Sequence, residues 1–252
     1  MLTVVVGLSG GIASGKSTVS RILQENQIPL IDLDVLARVV VQKGSPTLNK
    51  LVKEFGPTIL NQDKSLNRAE LGRLAFSSKD RTRALNKITH SAIRRALVWR
   101  LLQLWFTGTR RVVVDTPLLI EAGLYKWCAE IIIVRCDESQ QLKRMLLRDQ
   151  EKGLTEADAK SRLAAQMPLS KKVSYADVVI ENGVDANESS PPRLRAQVGA
   201  LVSRWRHESR RTSFIVLWLL SWLVPPFGLL YGLVVIYLRT RRQKRRNNSK
   251  QA

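Results

Sequence analysis

The chain has 252 residues, 44% of them hydrophobic, and a formal net charge of +20. This length allows one complete α/β domain with appendages, and the hydrophobic share is ordinary for a globular core. The two cysteines lack CxxC spacing and there are only two histidines. These counts exclude a recognisable zinc site, a disulfide framework and a multi-histidine metal centre.

Half of the excess positive charge lies near the C-terminus. From residue 203 onward there are eleven Lys or Arg residues and one acid, Glu208, so this part carries +10 of the +20. The rest of the charge is spread without a basic run, which suits a site for anionic phosphates at least as well as a nucleic-acid surface. Aromatic residues make up only 6% of the chain and many lie in the tail. We therefore expect no nucleic-acid partner.

The first predicted strand, Leu2–Leu8, leads into a phosphate-binding motif. The run from Gly10 to Ser17 fits G-x-x-x-x-G-K-[ST], and a helix with apolar residues Val19, Ile22 and Leu23 follows it. Glycines let such a loop curl around phosphate oxygens, and the start of the helix favours an anion. A glycine-rich turn without a ligand is the weaker alternative, because strand, loop and helix occur in the required order.

Each residue type in this motif has a chemical role. Lys16 supplies a mobile charge for the β- and γ-phosphates of a nucleoside triphosphate. The Ser17 hydroxyl can complete a Mg²⁺ shell, so we expect a nucleoside triphosphate with Mg²⁺ at this loop. The predicted nucleotide-binding residues of the loop are Gly10, Gly11, Ile12, Ala13, Ser14, Gly15, Lys16, Ser17 and Thr18.

A second strand and several helices are predicted next. The strand Ile28–Asp34 ends in two acids, Asp32 and Asp34. Helical patterns follow at residues 35–40, 48–55 and 81–106, and Asn67 with Glu70 predicts a capping box at the start of another helix. These helices indicate a substrate-covering insertion over about residues 44–106.

Three further strands complete the predicted sheet. They are Arg111–Asp115, Glu130–Arg135 and Asp177–Ile180, and Asp137 is expected to cap a helix at residues 138–148. Five short strands that alternate with helical segments predict an α/β fold with a doubly wound parallel sheet. The polar segment at about residues 149–166 indicates a small lid.

Residues 204–252 are predicted to form a membrane tail. The stretch 214–238 carries no charge, and as a helix of about 37 Å it could cross a hydrocarbon core of about 30 Å. Pro225 and Pro226 interrupt a regular helix, and basic residues flank both ends, which favours a re-entrant hairpin over a kinked single span. A buried core helix is the remaining alternative. We expect a membrane-associated protein whose catalytic domain faces the cytosol.

A set of motifs along the chain points to one family. The motifs are Gly7–Thr18, Asp32–Arg38, Asp115–Glu121, Gln141–Arg144, Arg148 with Asp149, Arg162 with Gln166, and Ala176–Gly183. In this order and spacing, the chain from Val4 to about Gly183 resembles the dephospho-CoA kinase family. Leu33, Ser91 and Ser9 stand where alanine, proline and threonine are usual in that family.

The resemblance implies a P-loop kinase domain over residues 1–203. Its implied reaction is transfer of the γ-phosphoryl group of ATP to the ribose 3′-hydroxyl of dephospho-CoA, the last step of coenzyme A synthesis. We expect Asp34 to be the general base, with a role as a helix cap as the alternative. Asp115 is expected to hold Mg²⁺ through water, or to be the base itself, again with a cap as the alternative.

The remaining candidate residues lie around the lid and the last strand. We expect Lys16 and Arg148 to act in catalysis and Arg144 and Arg162 to bind the nucleotide, although arginines on helix surfaces are usually solvated. Asn182 suits contact with adenine, or else ends a strand in a simple turn. His90 is favoured as a core or capping residue, with a substrate contact as the second interpretation.

Three other functions stay open at this point. A kinase for another small metabolite would share the phosphate loop but not the motifs that begin at Asp32 and Asp115. A nucleic-acid-binding ATPase would need base-stacking aromatic residues among arginines. A membrane scaffold with a vestigial nucleotide site is disfavoured because Lys16, Ser17 and Asp34 are all intact.

Overall fold

The computed structural model describes residues 3–150, 153–183, 192–210 and 232–242. The chain divides into two compact units. The first unit comprises Met1–Leu30 and Leu104–Ala252, and the second comprises Ile31–Gln103. The second unit begins before the predicted helical insertion, about residues 44–106, and ends just inside it.

A five-stranded sheet runs through the chain, and four of its strands lie wholly in the first unit. The strands are β1 (Val4–Gly10), β2 (Leu30–Asp32), β3 (Arg111–Asp115), β4 (Glu130–Arg135) and β5 (Val178–Glu181). They lie in the order β2-β3-β1-β4-β5. β1 pairs in parallel with both β3 and β4, and β4 pairs in parallel with β5. The prediction of a doubly wound α/β sheet is confirmed.

The described helices follow the strands in chain order. They are α1 (Lys16–Glu25), α2 (Leu33–Val39), α3 (Pro46–Phe55), α4 (Arg68–Ala75), α5 (Lys79–Phe106), α6 (Glu138–Arg148), α7 (Glu156–Ala164), α8 (Leu169–Val173), α9 (Pro192–Arg210) and α10 (232–242). Short 3₁₀ turns occur at Pro57–Ile59 and Leu124–Trp127.

The core of the first unit covers both faces of the sheet. On one face, alternate residues of the central strands, such as Leu8 and Ile132, pack with Val19 of α1 and Trp205 of α9. On the other face, Ile131 and its neighbours pack with the segment that follows β3. Continuous burial of this kind is typical of central parallel strands.

The second unit has its own smaller core. Leu51, Phe55, Ile59 and Leu71 are buried there together. Ala92 alone is buried among the residues of α5, and Val98, Trp99 and Phe106 are exposed. Because so much of α5 is exposed, this helix buries less apolar surface on folding than its 28 residues suggest.

One predicted cap is half right. Asn67 begins α4, and its side-chain oxygen accepts the N–H of Glu70 at 3.0 Å. Glu70 does not reach back to Asn67, because its carboxylate pairs with Arg73 at 2.6 Å. At the other predicted cap, Asp137 precedes α6 but its side chain makes no capping hydrogen bond.

The second predicted strand is too long. β2 ends at Asp32, and Asp34 lies within α2. The Asp32 carboxylate accepts the N–H groups of Asp34 at 2.8 Å and of Val35 at 3.1 Å. Asp32 therefore caps the helix, since this oxygen satisfies donors that have no partner inside the helix. The alternative that Asp34 is the cap is wrong.

The predicted membrane stretch is described only at its C-terminal end. Residues 214–231 lie outside the described residues, and residues 232–238 form the first part of α10. Within the described ranges, no helix combines the length and apolar character needed to cross a bilayer.

Candidate active site

The phosphate loop, residues 10–16, follows the carboxyl end of β1. This is the point at which the strand order changes direction, with β3 on one side and β4 on the other. Gly15 has a φ of +89°, and a Cβ there would collide with the side-chain amide of Asn182. A Cβ on Gly10 would lie 2.6 Å from the Ser14 hydroxyl. The tight curl of the loop therefore requires glycine at both positions, as the motif predicts.

Lys16 begins α1 and points its ammonium group at the end of β3. There it forms an ion pair with Asp115, the last residue of that strand. The Ser20 hydroxyl donates to the other oxygen of the same carboxylate at 2.6 Å. Asp115 is 3% exposed, so the pair lies at the boundary between the loop and the core. A lysine held in this way is aimed by its partner, which reduces the freedom of its long side chain.

The chemistry of the loop fits a triphosphate with Mg²⁺. Ser17 lies exposed in the first turn of α1, where its hydroxyl is accessible to a metal ion. The Ser14 hydroxyl is buried and has no hydrogen-bond partner among the described residues. The same residues include no cluster of three or more His, Cys, Asp or Glu that could hold a metal. A Mg²⁺ ion here would therefore take most of its ligands from phosphate and water, as it commonly does.

Two amide side chains hold the loop from outside. Gln141 of α6 donates to the carbonyl of Ile12 at 2.6 Å, and Asn182 donates to the carbonyl of Ser14 at 2.8 Å. Both amides are buried. Asn182 therefore uses its side-chain N–H on the loop backbone, whereas the sequence predicts contact with adenine. Gln141 is part of the family motif, but its contact with the loop was not predicted.

Arg144 lies beside the loop and the end of β5. Its Nη2 donates to the carbonyl of Asn182 at 3.2 Å, and its buried Nη1 has no hydrogen-bond partner among the described residues. A buried guanidinium nitrogen without an acceptor is costly, so an incoming anion would be stabilised there. The role of Arg144 in nucleotide binding stays a prediction.

The other two predicted arginines meet at one acid. Arg148 donates to the Asp149 carboxylate at 2.8 Å, and the guanidinium of Arg162 lies 3.9 Å from the same oxygen. Asp149 is buried, whereas both arginines are more than half exposed. The lid segment thus carries a second cluster of positive charge, which is held by a carboxylate.

A cavity of about 510 Å³ lies between the loop and the lid segment. Its lining includes Gly11 and Ile12 on one side and Leu163 and Met167 on the other. Cys136 also lines it, and burial raises the pKa of this thiol, although nearby Arg144 opposes the change. The cavity is therefore large enough for part of a small-molecule ligand and adjoins the phosphate loop.

The segment after Asp115 is fixed by a buried lysine. Lys172 of α8 is fully buried, and its ammonium donates to the carbonyl of Pro117 at 2.7 Å and pairs with Glu121 at 2.9 Å. The Ser9 hydroxyl donates to the same carbonyl at 3.0 Å. Lys172 is a residue that the sequence analysis missed. In the sequence Lys172 is one of two adjacent lysines, and this pattern does not show which lysine is buried and which is solvated.

Two predicted site residues belong to the second unit. Asp34 lies in the first turn of α2, with its backbone N–H bound by Asp32. His90 lies on α5 and is exposed. The interpretation of His90 as a core residue is therefore wrong, and a substrate contact remains a prediction.

Comparison with known proteins places these features in a family. The family model for dephospho-CoA kinase matches residues 4–188, which span the sheet, the loop and the lid segment. The chain belongs to the dephospho-CoA kinase family. The resemblance seen in the sequence motifs is confirmed.

Individual relatives of the dephospho-CoA kinase family agree with this assignment. A dephospho-CoA kinase of Arabidopsis thaliana is 45% identical over 178 residues, covering 71% of this chain and 75% of the relative. A dephospho-CoA kinase of Geobacillus kaustophilus is 39% identical over 204 residues, covering 81% and 98%. A crystal structure from Thermus thermophilus matches with a TM-score of 0.67 and 29% identity, covering 81% of this chain and 98% of that one.

Proposed function

We propose that this chain is an ATP-dependent kinase that phosphorylates the ribose 3′-hydroxyl of dephospho-CoA and forms coenzyme A and ADP. The observation that supports this most strongly is the family match over residues 4–188, which includes an intact phosphate loop. The Lys16–Asp115 pair adds chemical support, since it aims a cation at the end of the sheet where the loop binds phosphate.

The phosphate loop and its helix bind the triphosphate. The backbone of residues 10–15 curls around phosphate oxygens, and Lys16 contacts the β- and γ-phosphates. Ser17 and Asp115 are the residues that would hold Mg²⁺, Ser17 directly and Asp115 through water. When bound, Mg²⁺ would neutralise charge on the phosphates as the γ-phosphoryl group is transferred.

Arginines supply further positive charge to stabilise the transferred phosphoryl group. Arg144 offers a buried nitrogen beside the loop, and Arg148 and Arg162 are held together by Asp149. We assign Arg144 and Arg162 to nucleotide binding and Arg148 to stabilisation of charge during transfer. Fixed cations of this kind favour the transition state more than the ground state, because charge spreads over the phosphoryl oxygens as the bond breaks.

Asp34 is assigned as the general base. Asp115 accepts from the Lys16 ammonium and the Ser20 hydroxyl, one hydrogen bond on each oxygen, and so holds Lys16 beside the loop. Asp32 binds two backbone N–H groups as a helix cap. We assign Asp34 to orient and deprotonate the attacking hydroxyl because it belongs to the Asp32–Arg38 motif, one of the motifs that carry the family resemblance.

A comparison of acceptors tests the proposed substrate. ADP release from ATP is measured with purified full-length protein and dephospho-CoA, adenosine or pantetheine as the acceptor. The proposal predicts turnover with dephospho-CoA alone, since neither fragment spans the whole acceptor. Faster turnover with adenosine or with pantetheine than with dephospho-CoA would show that the phosphate loop serves a different metabolite.

We also propose that the tail attaches the enzyme to a membrane, with the catalytic residues in the cytosol. The support is the uncharged stretch 214–238 between two basic flanks in the sequence. Fractionation tests this: the full chain should stay in the membrane fraction after a high-salt wash, and a chain that ends at Ser209 should be soluble and active. Release of the full chain by salt would leave only electrostatic attachment.

A further inference from the structure

Lys172 is a buried cation that the proposed mechanism does not use. Its side chain is fully buried, and its ammonium donates to the carbonyl of Pro117 at 2.7 Å and pairs with Glu121 at 2.9 Å. Transfer of an ammonium group from water into a protein interior is costly. A buried ion pair is often no more stabilising than apolar side chains of similar volume, so stability alone does not explain a lysine at this position.

The Pro117 carbonyl joins three elements of the first unit. It belongs to the segment that follows β3, and it accepts from the Ser9 hydroxyl of β1 at 3.0 Å as well as from Lys172 of α8. Ser9 directly precedes Gly10, where the phosphate loop begins. Two donors, one from the strand that leads into the loop and one from α8, therefore fix the place of this oxygen.

The backbone between Asp115 and the Pro117 carbonyl has little freedom. Thr116, the residue between them, is 5% exposed, and its N–H donates to the Leu8 carbonyl at 3.1 Å. The ring of Pro117 fixes its own φ and restricts the backbone of Thr116. Few torsions are therefore left to absorb a shift of the Pro117 carbonyl before it reaches Asp115.

The helix α8 gives Lys172 a firm support. Leu169 and Val173, at the two ends of this helix, pack against the buried cluster that contains Leu119 and Ile120. One core therefore holds both α8 and the segment after β3, and the ammonium of Lys172 connects them. Support of this kind is what holds a functional group within about 0.5 Å of its working position.

We propose that Lys172 is a positioning residue for phosphoryl transfer and that it acts through Asp115. By holding the Pro117 carbonyl, it fixes the end of β3 so that the Asp115 carboxylate meets the Lys16 ammonium and the Ser20 hydroxyl. A cation that is aimed before the nucleotide arrives lowers the cost of ordering the site when the nucleotide binds and reacts. This inference rests on the proposed function and adds to it a residue that does not touch the substrates.

A double variant removes the contact without leaving an unpaired buried charge. In Lys172→Met with Glu121→Gln, which we call the neutral pair, the fold should be retained while the Pro117 carbonyl loses one donor. We expect kcat of the full-length protein to fall roughly tenfold, and its affinity for ATP that carries a fluorescent N-methylanthraniloyl group to fall about fivefold. The matched control is Lys171→Met with Glu54→Gln, at two exposed positions, and it should change neither quantity. Melting curves fix a temperature at which every variant is folded.

A cycle with Asp115→Asn separates positioning from a merely structural role. If Lys172 acts through Asp115, the neutral pair has nothing left to position once Asp115→Asn is present. The same double change should then lower affinity and kcat by less than about twofold. A structural role would give the same loss in both backgrounds. Equal losses in the two backgrounds, or a neutral pair with the properties of the native chain, would overturn the proposal.

Ser9→Ala is a second and smaller change at the same carbonyl. It removes only the hydroxyl that donates to Pro117, so we expect a loss of about threefold in nucleotide affinity that disappears beside Asp115→Asn. Ser139→Ala, at an exposed position of α6, is the control. A loss that persists in full beside Asp115→Asn would overturn the proposal. The titration uses no acceptor, so absence of turnover with dephospho-CoA would overturn the proposed function, while the titration would still decide the role of Lys172.

Discussion

Lys16, the first residue of α1, forms an ion pair with Asp115, the last residue of β3. The two residues are brought together because β1 and β3 are parallel neighbours, with Leu8 in register with Asp115. The loop that follows β1 therefore turns back over the end of β3. Asp115 aims the lysine in the absence of nucleotide, and phosphate oxygens compete for the same ammonium when ATP binds.

Replacement of the lysine should abolish turnover. We expect Lys16→Ala to lose several orders of magnitude in kcat, because the ammonium interacts with charge that moves during transfer. The fold should persist, as the side chain buries little apolar area. Steady-state kinetics and circular dichroism check both parts, with the exposed Lys53→Ala as the control. Retention of more than about a tenth of the activity would contradict the assigned role of the loop.

The two candidate bases should respond differently to loss of charge. Asp34→Asn is expected to lower kcat by roughly 10² or more with little change in nucleotide affinity. Asp115→Asn should weaken nucleotide binding as well, since Lys16 is then no longer aimed at the loop. Asp80→Asn, at an exposed acid of α5, is the control. Little effect at Asp34 together with a pure kcat loss at Asp115 would reverse the assignment.

The parts of the fold that depend on local pattern were predicted well. The phosphate loop, the order of strand and helix around it, and the bounds of β3 and β4 all follow from short stretches of sequence. Glycine positions such as Gly15 are dictated by backbone geometry that the motif encodes. The acid at the end of β3 was also expected near the site, because parallel strands deliver their ends to one edge.

The features that depend on distant contacts were not predicted. Lys172 can be buried because its ammonium binds Glu121 and the Pro117 carbonyl, which lie about 50 residues earlier in the chain. The residues next to Lys172 in the sequence do not indicate that it is buried. Arg239 was predicted only as part of the basic flank after the uncharged stretch, yet it is buried, and its guanidinium donates to the carbonyls of Cys128 and Ala129. His90 was predicted as a core or capping residue, but its side chain is exposed on α5.

Lys172 should be a strong determinant of stability. Lys172→Met keeps the side-chain length but leaves Glu121 without its partner, so we expect a loss of roughly 3 kcal/mol in the free energy of unfolding. The matched control is Lys171→Met, at the exposed neighbouring position. Urea denaturation measures both. Equal effects of the two changes would show that the buried pair contributes nothing specific.

The outer support of the loop should influence nucleotide affinity. Gln141→Ala removes the hydrogen bond to the Ile12 carbonyl, and a lost buried hydrogen bond of this kind is worth about 1–3 kcal/mol. We expect the KM for ATP to rise roughly tenfold, with a smaller change in the KM for the acceptor. Gln24→Ala, at an exposed position of α1, is the control. A selective change in the acceptor KM would assign Gln141 to the other substrate.

The position of the transferred phosphate tests the central claim most directly. Full-length protein is incubated with ATP and dephospho-CoA, and the nucleotide product is purified and examined by mass spectrometry and ³¹P NMR, with Lys16→Ala treated in parallel. The account predicts one new monoester phosphate, on the ribose 3′-hydroxyl, formed in step with ADP and absent with the variant. A product phosphorylated elsewhere, or ADP formed without a phosphorylated acceptor, would contradict it.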